Sequence, residues 1–232
     1  MQVIKWLLDR PPEFWTAIAS LAIASFTGTL WFSTHRLWRV TKAALSHAEQ
    51  TAIRELRAYV SVKEIVMDQF RGPDMVGTSV NAIVPGPIHS HRISVIFENG
   101  GKTPTRKAIV NINRQLRDDE LPDNFDFPDG ELVEPAAVGA NGGVYITPGF
   151  FISTSEVALV AAKQKRLFVW GWVEYDDVFD GTPRHRTEFC LDTTADTASD
   201  RENTYLRFPT YGRFNGIDGD CVRKPRPYQQ PT

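Results

Sequence analysis

This chain of 232 residues predicts a mainly β protein led by a long N-terminal helix, and three observations carry that prediction. Residues 14–32, "FWTAIASLAIASFTGTLWF", contain no charged side chain. Neither proline nor glycine then occurs between Thr29 and Arg71, and residues from Ser33 to Leu56 are good helix formers. From Arg57 on, apolar residues alternate with period two between turns rich in Gly, Pro, Asn and Asp. The expected architecture is a transmembrane helix continuing into a juxtamembrane helix, then an immunoglobulin-like antiparallel β-sandwich. Its parts are an N-terminal flank (1–13), the membrane helix (14–32), the juxtamembrane helix (33–56), the sandwich (57–192) and an irregular C-terminal tail (193–232).

As a helix rising about 1.5 Å per residue, residues 14–32 would extend about 28 Å, close to the hydrocarbon thickness of a bilayer. Trp15 and Trp31 stand near its two ends, where indoles favour the headgroup region, and Arg36 and Arg39 follow as interface anchors. Pro11 and Pro12 suit a first helical turn, where their missing N–H groups are not needed. A cleaved signal peptide would start basic and end at small residues, whereas this flank holds Asp9 and Glu13 and a basic helix follows. Lys5 and Arg10 precede the span; Arg36, Arg39 and Lys42 follow it. The positive-inside rule therefore puts the β domain on the cytoplasmic side, with the periplasmic side as the alternative. Ala44, Ala48 and Ala52 repeat every four residues, a spacing that lets a second helix approach closely. The helix either packs on its own β domain or pairs in a homo-oligomer.

"RAYVSVKEIVMDQF" alternates Val60 and Val62 against Tyr59, Ser61 and Lys63. "HRISVIFENGGKTPTRKAIVNINRQL" yields two strands, through Ile93, Val95 and Phe97 and through Ala108, Val110 and Ile112. Gly101-Lys102-Thr103 between them resembles the end of a phosphate-binding loop. That loop would need glycine at position 96, which is Ile96, and Pro104 stands where its helix would start. The segment is instead a connection, with Asn99, Gly100 and Gly101 supplying unusual backbone angles. "RLFVWGWVEYDDVFDGTPRHRTEFCLD" is a hairpin: Leu167–Tyr175, a turn at Asp180-Gly181, and Arg184–Leu191. Its first strand is apolar on both faces. Phe168, Trp170 and Trp172 share one, which is either central in the sandwich or offered to a partner. From Ala195 on little periodicity is left, and "VRKPRPYQQPT" is expected to be extended or disordered.

Sites of chemistry are sparse. His89 and His91 alternate as two metal ligands would, without an identifiable third. Asp176, Asp177, Asp180 and His185 crowd the hairpin turn, a usual place for carboxylates. Residues 117–134 hold eight acidic side chains against one arginine, but Phe125 and Phe127 occupy positions where an EF-hand needs oxygen ligands. A solvated loop is expected there, with loose calcium binding or a basic partner as alternatives. Cys190 and Cys221 have no CxxC spacing and no base tied to them. The formal net charge of −2 argues against nucleic-acid binding as the main task.

The stretches "LWRVTKAALSHAEQTAIRELRAYV", "FENGGKTPT", "VWGWVEYDDVFDGTPRHRTEFC" and "YGRFNGID" resemble, in this order, a group of uncharacterised single-pass membrane proteins of bacteria, particularly alphaproteobacteria. The resemblance implies a membrane anchor with a β domain, and no site. The expectation for function is a non-enzymatic interaction or scaffold protein of the bacterial inner membrane, an accessory subunit of a larger complex. It would offer Phe168, Trp170 and Trp172, or the Ala44–Ala48–Ala52 face, to a protein partner or a second copy. A membrane-tethered sensory or ligand-binding domain is the alternative; an enzyme built around Asp176, Asp177 and His185 stands further off. No cofactor or metal is expected.

Overall fold

The computed structural model describes residues 11–73, 75–76, 83–84, 86–130, 133–197 and 204–228. Lys5, Asp9 and Arg10 of the flank lie outside these. The chain divides into two compact units, Met1–Arg54 and Glu55–Thr232. The described part of the first lies in one helix, α1 (Pro12–Leu56), unbroken over 45 residues, about 68 Å at the usual rise. It is long and apolar enough to cross a membrane, and no described residue of it is buried within the chain. Its hydroxyls are satisfied locally. Thr16, Ser20, Ser25, Thr27 and Thr29 each donate to a carbonyl one turn earlier, at 2.7–3.2 Å. In hydrocarbon that removes the cost of an unpaired donor.

The second unit contains strands β1 (Val60–Arg71), β2 (Met75–Val76), β3 (Ile83–Val84), β4 (Ile88–Asn99), β5 (Arg106–Arg117), β6 (Val133–Ala136), β7 (Gly143–Ile146) and β8 (Phe150–Ser153). Helix α2 (Thr154–Ala161) follows, then β9 (Arg166–Asp176), β10 (His185–Thr197), β11 (Thr204–Arg207), β12 (Gly216–Ile217) and a 3₁₀ turn (Asp218–Asp220). A four-stranded sheet has β1 beside β4, with β7 and β8 sharing the other edge of β4. A six-stranded sheet runs β11-β10-β9-β5-β6, with β12 also on β10, and β2 pairs only with β3. All pairings are antiparallel. The expected helix and antiparallel sandwich are present.

The sheets share a core of Val60, Ile93, Val95 and Phe97 from one and Val110, Leu167, Val169, Val173, Tyr175, Phe189 and Leu191 from the other. The connection "FENGGKTPT" leaves the four-stranded sheet and enters the six-stranded one, so β4 and β5 are not a hairpin. The buried Asn99 ties this corner together. Its Oδ1 accepts from the backbone N–H of Tyr59 and Gly101 (both 2.9 Å), and its Nδ2 donates to Thr103 O (2.7 Å). Gly101 is needed for space rather than for angle. It has no positive φ, but a Cβ there would overlap the Arg57 carbonyl and the Ala58 backbone. At the β9–β10 turn Gly181 does adopt φ +79°, and His185 pairs with Tyr175 in register.

The described tail is largely irregular but carries short strands. β10 runs on to Thr197, β11 and β12 add to it, and Phe214 is fully buried. Of the two expectations for "VRKPRPYQQPT", the first describes its described part, which is extended, without regular secondary structure, and held in place by Glu188. Glu188 Oε2 accepts from Val222 N (2.6 Å) and Oε1 from Arg223 N (3.2 Å). Residues 229–232 lie outside the described set.

Candidate interaction face and inter-sheet crevice

Phe168, Trp170 and Trp172 are 0%, 3% and 1% exposed, so the aromatic face is no interaction surface. It forms a second core with Ile109, Leu121, Phe127, Cys190 and Phe214. The acidic loop and the tail cover it. Trp170 Nε1 donates to Pro128 O (2.9 Å) and Trp172 Nε1 to Asp129 (2.7 Å). The guanidiniums of Arg186 and Arg226 lie over the Trp172 ring at 4.8 and 4.5 Å, a cation–π arrangement. The loop's basic partner is therefore this chain. Asp118 meets Lys165, Glu120 meets Arg166, Asp126 meets Arg223, and Asp129 meets both Arg223 and Arg226. Beneath the tail, Arg186 is clamped between Glu174 and Glu188, all three buried.

Of the turn residues, Asp177 and His185 come together and Asp176 does not; it pairs with Arg184 at 3.0 Å. His185 Nε2 faces Asp177 Oδ2 at 3.2 Å, and its Nδ1 faces Asp218 Oδ1 at 2.9 Å. Asp218 also pairs with Arg57 (3.3 Å), and Tyr175 packs against the imidazole with ring centroids 5.3 Å apart. The hydrogen bond to Asp218, seconded by Asp177, raises the His185 pKa against the opposing effect of burial. Burial is the largest influence on Asp218 and pushes its carboxyl up, yet bonds from His185 and Arg186 N bring it below the usual value. His185 is 3% exposed, closed to substrate. The cluster is a clamp between the tail and the residue just past α1. His91 is buried and its pKa lowered by burial, whereas His89 is exposed. Cys190 and Cys221 are free. Cys221 Sγ bonds Arg186 O (3.2 Å), four strand positions, or about 13 Å, from Cys190.

Exposed apolar surface lies elsewhere, on the outer face of the four-stranded sheet. Cross-strand partners share a face, so register defines its rows. Asp68, Arg92 and Phe151 form one row, Val66 and Ser94 the next, then Glu64, Ile96 and Ile146, and Glu98 with Val144. Val144, Ile146 and Phe151 are 48%, 59% and 54% exposed. Phe70 packs edge-on against Phe151 (5.3 Å). Ion pairs rim the patch, Arg92–Asp68 at 2.6 Å and Lys63–Glu98 at 2.7 Å. β1 has no second partner among the described strands. Bulges between Val62 and Glu64 and between Phe70 and Arg71 twist it, and its charges blunt the edge against pairing, leaving the face as the apolar surface.

On the inner side, a crevice of about 490 Å³ opens between the sheets, lined by residues including Val110, Ile112, Arg114, Glu134, Pro148 and Phe150. On α1, Ala44, Ala48 and Ala52 are exposed, as are Trp15, Trp31, Arg36 and Arg39. Trp31, His35 and Trp38 stack along one side at 5.7 and 6.2 Å, with Lys42 over Trp38 at 5.5 Å. Sequence reasoning missed the Val144–Ile146–Phe151 face because "GVYI" is a four-residue strand that starts on Gly143 and ends two residues before Pro148. Its one signal was the alternation of Val144 and Ile146 about Tyr145. Compared with protein-family models, curated proteins and solved structures, the chain has no match in any of the three.

Proposed function

We propose that this protein is a single-pass, membrane-anchored interaction module without a catalytic step, an accessory or scaffold subunit of the bacterial inner membrane with its β domain in the cytoplasm. The observation that supports this best is the outer face of the four-stranded sheet, where Val144, Ile146 and Phe151 stand about half exposed within a rim of ion pairs. A sheet face exposed to water normally carries polar residues, and three half-exposed apolar side chains among the charged ones favour a covering partner. The 45-residue helix, exposed along its length, supplies the anchor and, through Ala44, Ala48 and Ala52, a second contact surface. Basic residues after the apolar stretch support the cytoplasmic side, and the resemblance noted above supports a bacterial origin. The reading takes the domain as immunoglobulin-like, supported by two antiparallel sheets packed on one core.

The test is mild-detergent purification of the full chain from its membrane, beside the double variant Ile146→Asp, Phe151→Asp. The expected result is a stoichiometric companion, or a self-assembly, that the variant loses while keeping its circular dichroism. Wild-type and variant chains that both run as lone monomers would sink the proposal.

A further inference from the structure

We infer that the crevice between the two sheets is a binding site for a small amphipathic amine, its ammonium group held by Glu134 and its apolar body laid along Val110, Ile112 and Phe150. The volume, about 490 Å³, falls within the range of small-molecule sites. Two polar bridges frame the slot. At one end the Tyr145 hydroxyl of β7 donates to Glu134 Oε2 of β6 at 3.2 Å. At the other, Arg114 Nη1 of β5 donates to Glu156 Oε1 of α2 at 3.0 Å. Glu134 pairs with Val110 across β5 and β6, so Val110, Ile112 and Arg114 continue along its face over about 13 Å.

Charge decides the ligand class. The Arg114 charge is balanced by Glu156, and Asp129, also on the lining, is balanced by Arg223 and Arg226. Glu134 forms no ion pair among the described residues, only the bond from Tyr145. The one unbalanced charge on the lining is thus negative, beside apolar walls. A carboxylate held this way favours a cationic donor and repels an acid. The opposite wall is preformed. The Thr147 hydroxyl accepts from Val95 N (3.0 Å), and Gly149 takes φ +77° pressed against the Ile93 carbonyl. This site is independent of the interaction face: Phe150 and Phe151 point to opposite sides of the same sheet.

Isothermal titration of the full chain in lipid nanodiscs, with empty nanodiscs subtracted, tests the inference using tryptamine, phenethylamine and the neutral alcohol tryptophol. The expected result is saturable 1:1 binding of at least one amine, with tryptophol at least tenfold weaker. Glu134→Gln keeps an acceptor for Tyr145 and should weaken the amine at least tenfold. Ile112→Phe, which fills the slot and leaves Glu134 in place, should do the same. No saturable heat from either amine overturns the inference, as does tryptophol binding equal to the amine. So does undiminished amine binding by a folded Glu134→Gln chain.

Discussion

At the residue scale, His185 is the group whose surroundings make the most specific demand. Both ring nitrogens face carboxylate oxygens, Asp177 on one side and Asp218 on the other, while Arg57 and Tyr175 are the other charged or titratable neighbours. An imidazolium satisfies both acceptors, whereas a neutral ring points a lone pair at one of them. The folded-state pKa of His185 is raised, so its stabilisation is fully present below the unfolded value of about 6.5 and is lost as pH rises through the folded pKa. Asp218, with its pKa lowered, works in the opposite sense and loses its contribution only in acid. His185→Gln should therefore cost about 3 kcal/mol near pH 6, with the gap in melting temperature from wild type narrowing toward pH 9. A gap that is flat or widens with pH would show that His185 is folded neutral. Asn99 makes a second demand, holding two backbone donors and one acceptor at the corner where β4 leaves its sheet. Asn99→Ala leaves them unpaired in a buried place, and chemical denaturation should show a loss of about 3 kcal/mol.

At the scale of elements, the tail shows what a pattern can and cannot convey. The β9–β10 hairpin is legible almost to the residue because two apolar faces alternate over nine positions and Asp180-Gly181 marks the turn. β1, β4 and β5 are legible for the same reason, as is the helix from the absence of breakers. The tail has no period to read. It is placed by single anchors far apart in sequence: Phe214 in the second core, Asp218 on His185 and Arg226 over Trp172. Nor can alternation say what covers an apolar face, so the tryptophans looked available when the chain's own loop and tail already enclose them. Truncation after Asp220 removes the two backbone donors to Glu188, which keeps only Arg186 among the described residues, and one of the two cations on Trp172. It leaves a buried carboxylate short of partners and should lower stability by about 3 kcal/mol or more, read as a drop in melting temperature. A truncated chain as stable as the full one would make the tail a passive cover. On α1, Ala48→Leu widens the small-residue face and should weaken self-association in detergent if two helices meet there; unchanged assembly would take the helix out of the contact.

For the whole molecule, the division at Arg54–Glu55 separates two kinds of solvent preference. The helix exposes a long apolar stretch, and the core buried by the second unit includes none of the described residues before Ala58. Arg57, Asn99 and Asp218, which fix the start of the β unit, all lie on the C-terminal side of that division. A fragment of residues 55–232 should accordingly fold alone and melt within a few degrees of the β unit in the full chain. It should nonetheless be a poor monomer, because removing the anchor leaves Val144, Ile146 and Phe151 facing water with the partner gone. Ile146→Asp in that fragment puts a charge at the centre of the patch, two strand positions from Val144 and opposite the buried Ile96. Part of its cost is the lost contact with Ile96, so the stability loss should be about 1 kcal/mol rather than zero. The substitution should leave the fragment folded while shifting it toward monomer in analytical ultracentrifugation. If the fragment is monomeric without the substitution, water suffices to cover that face and the contact surface of the molecule lies on α1 instead.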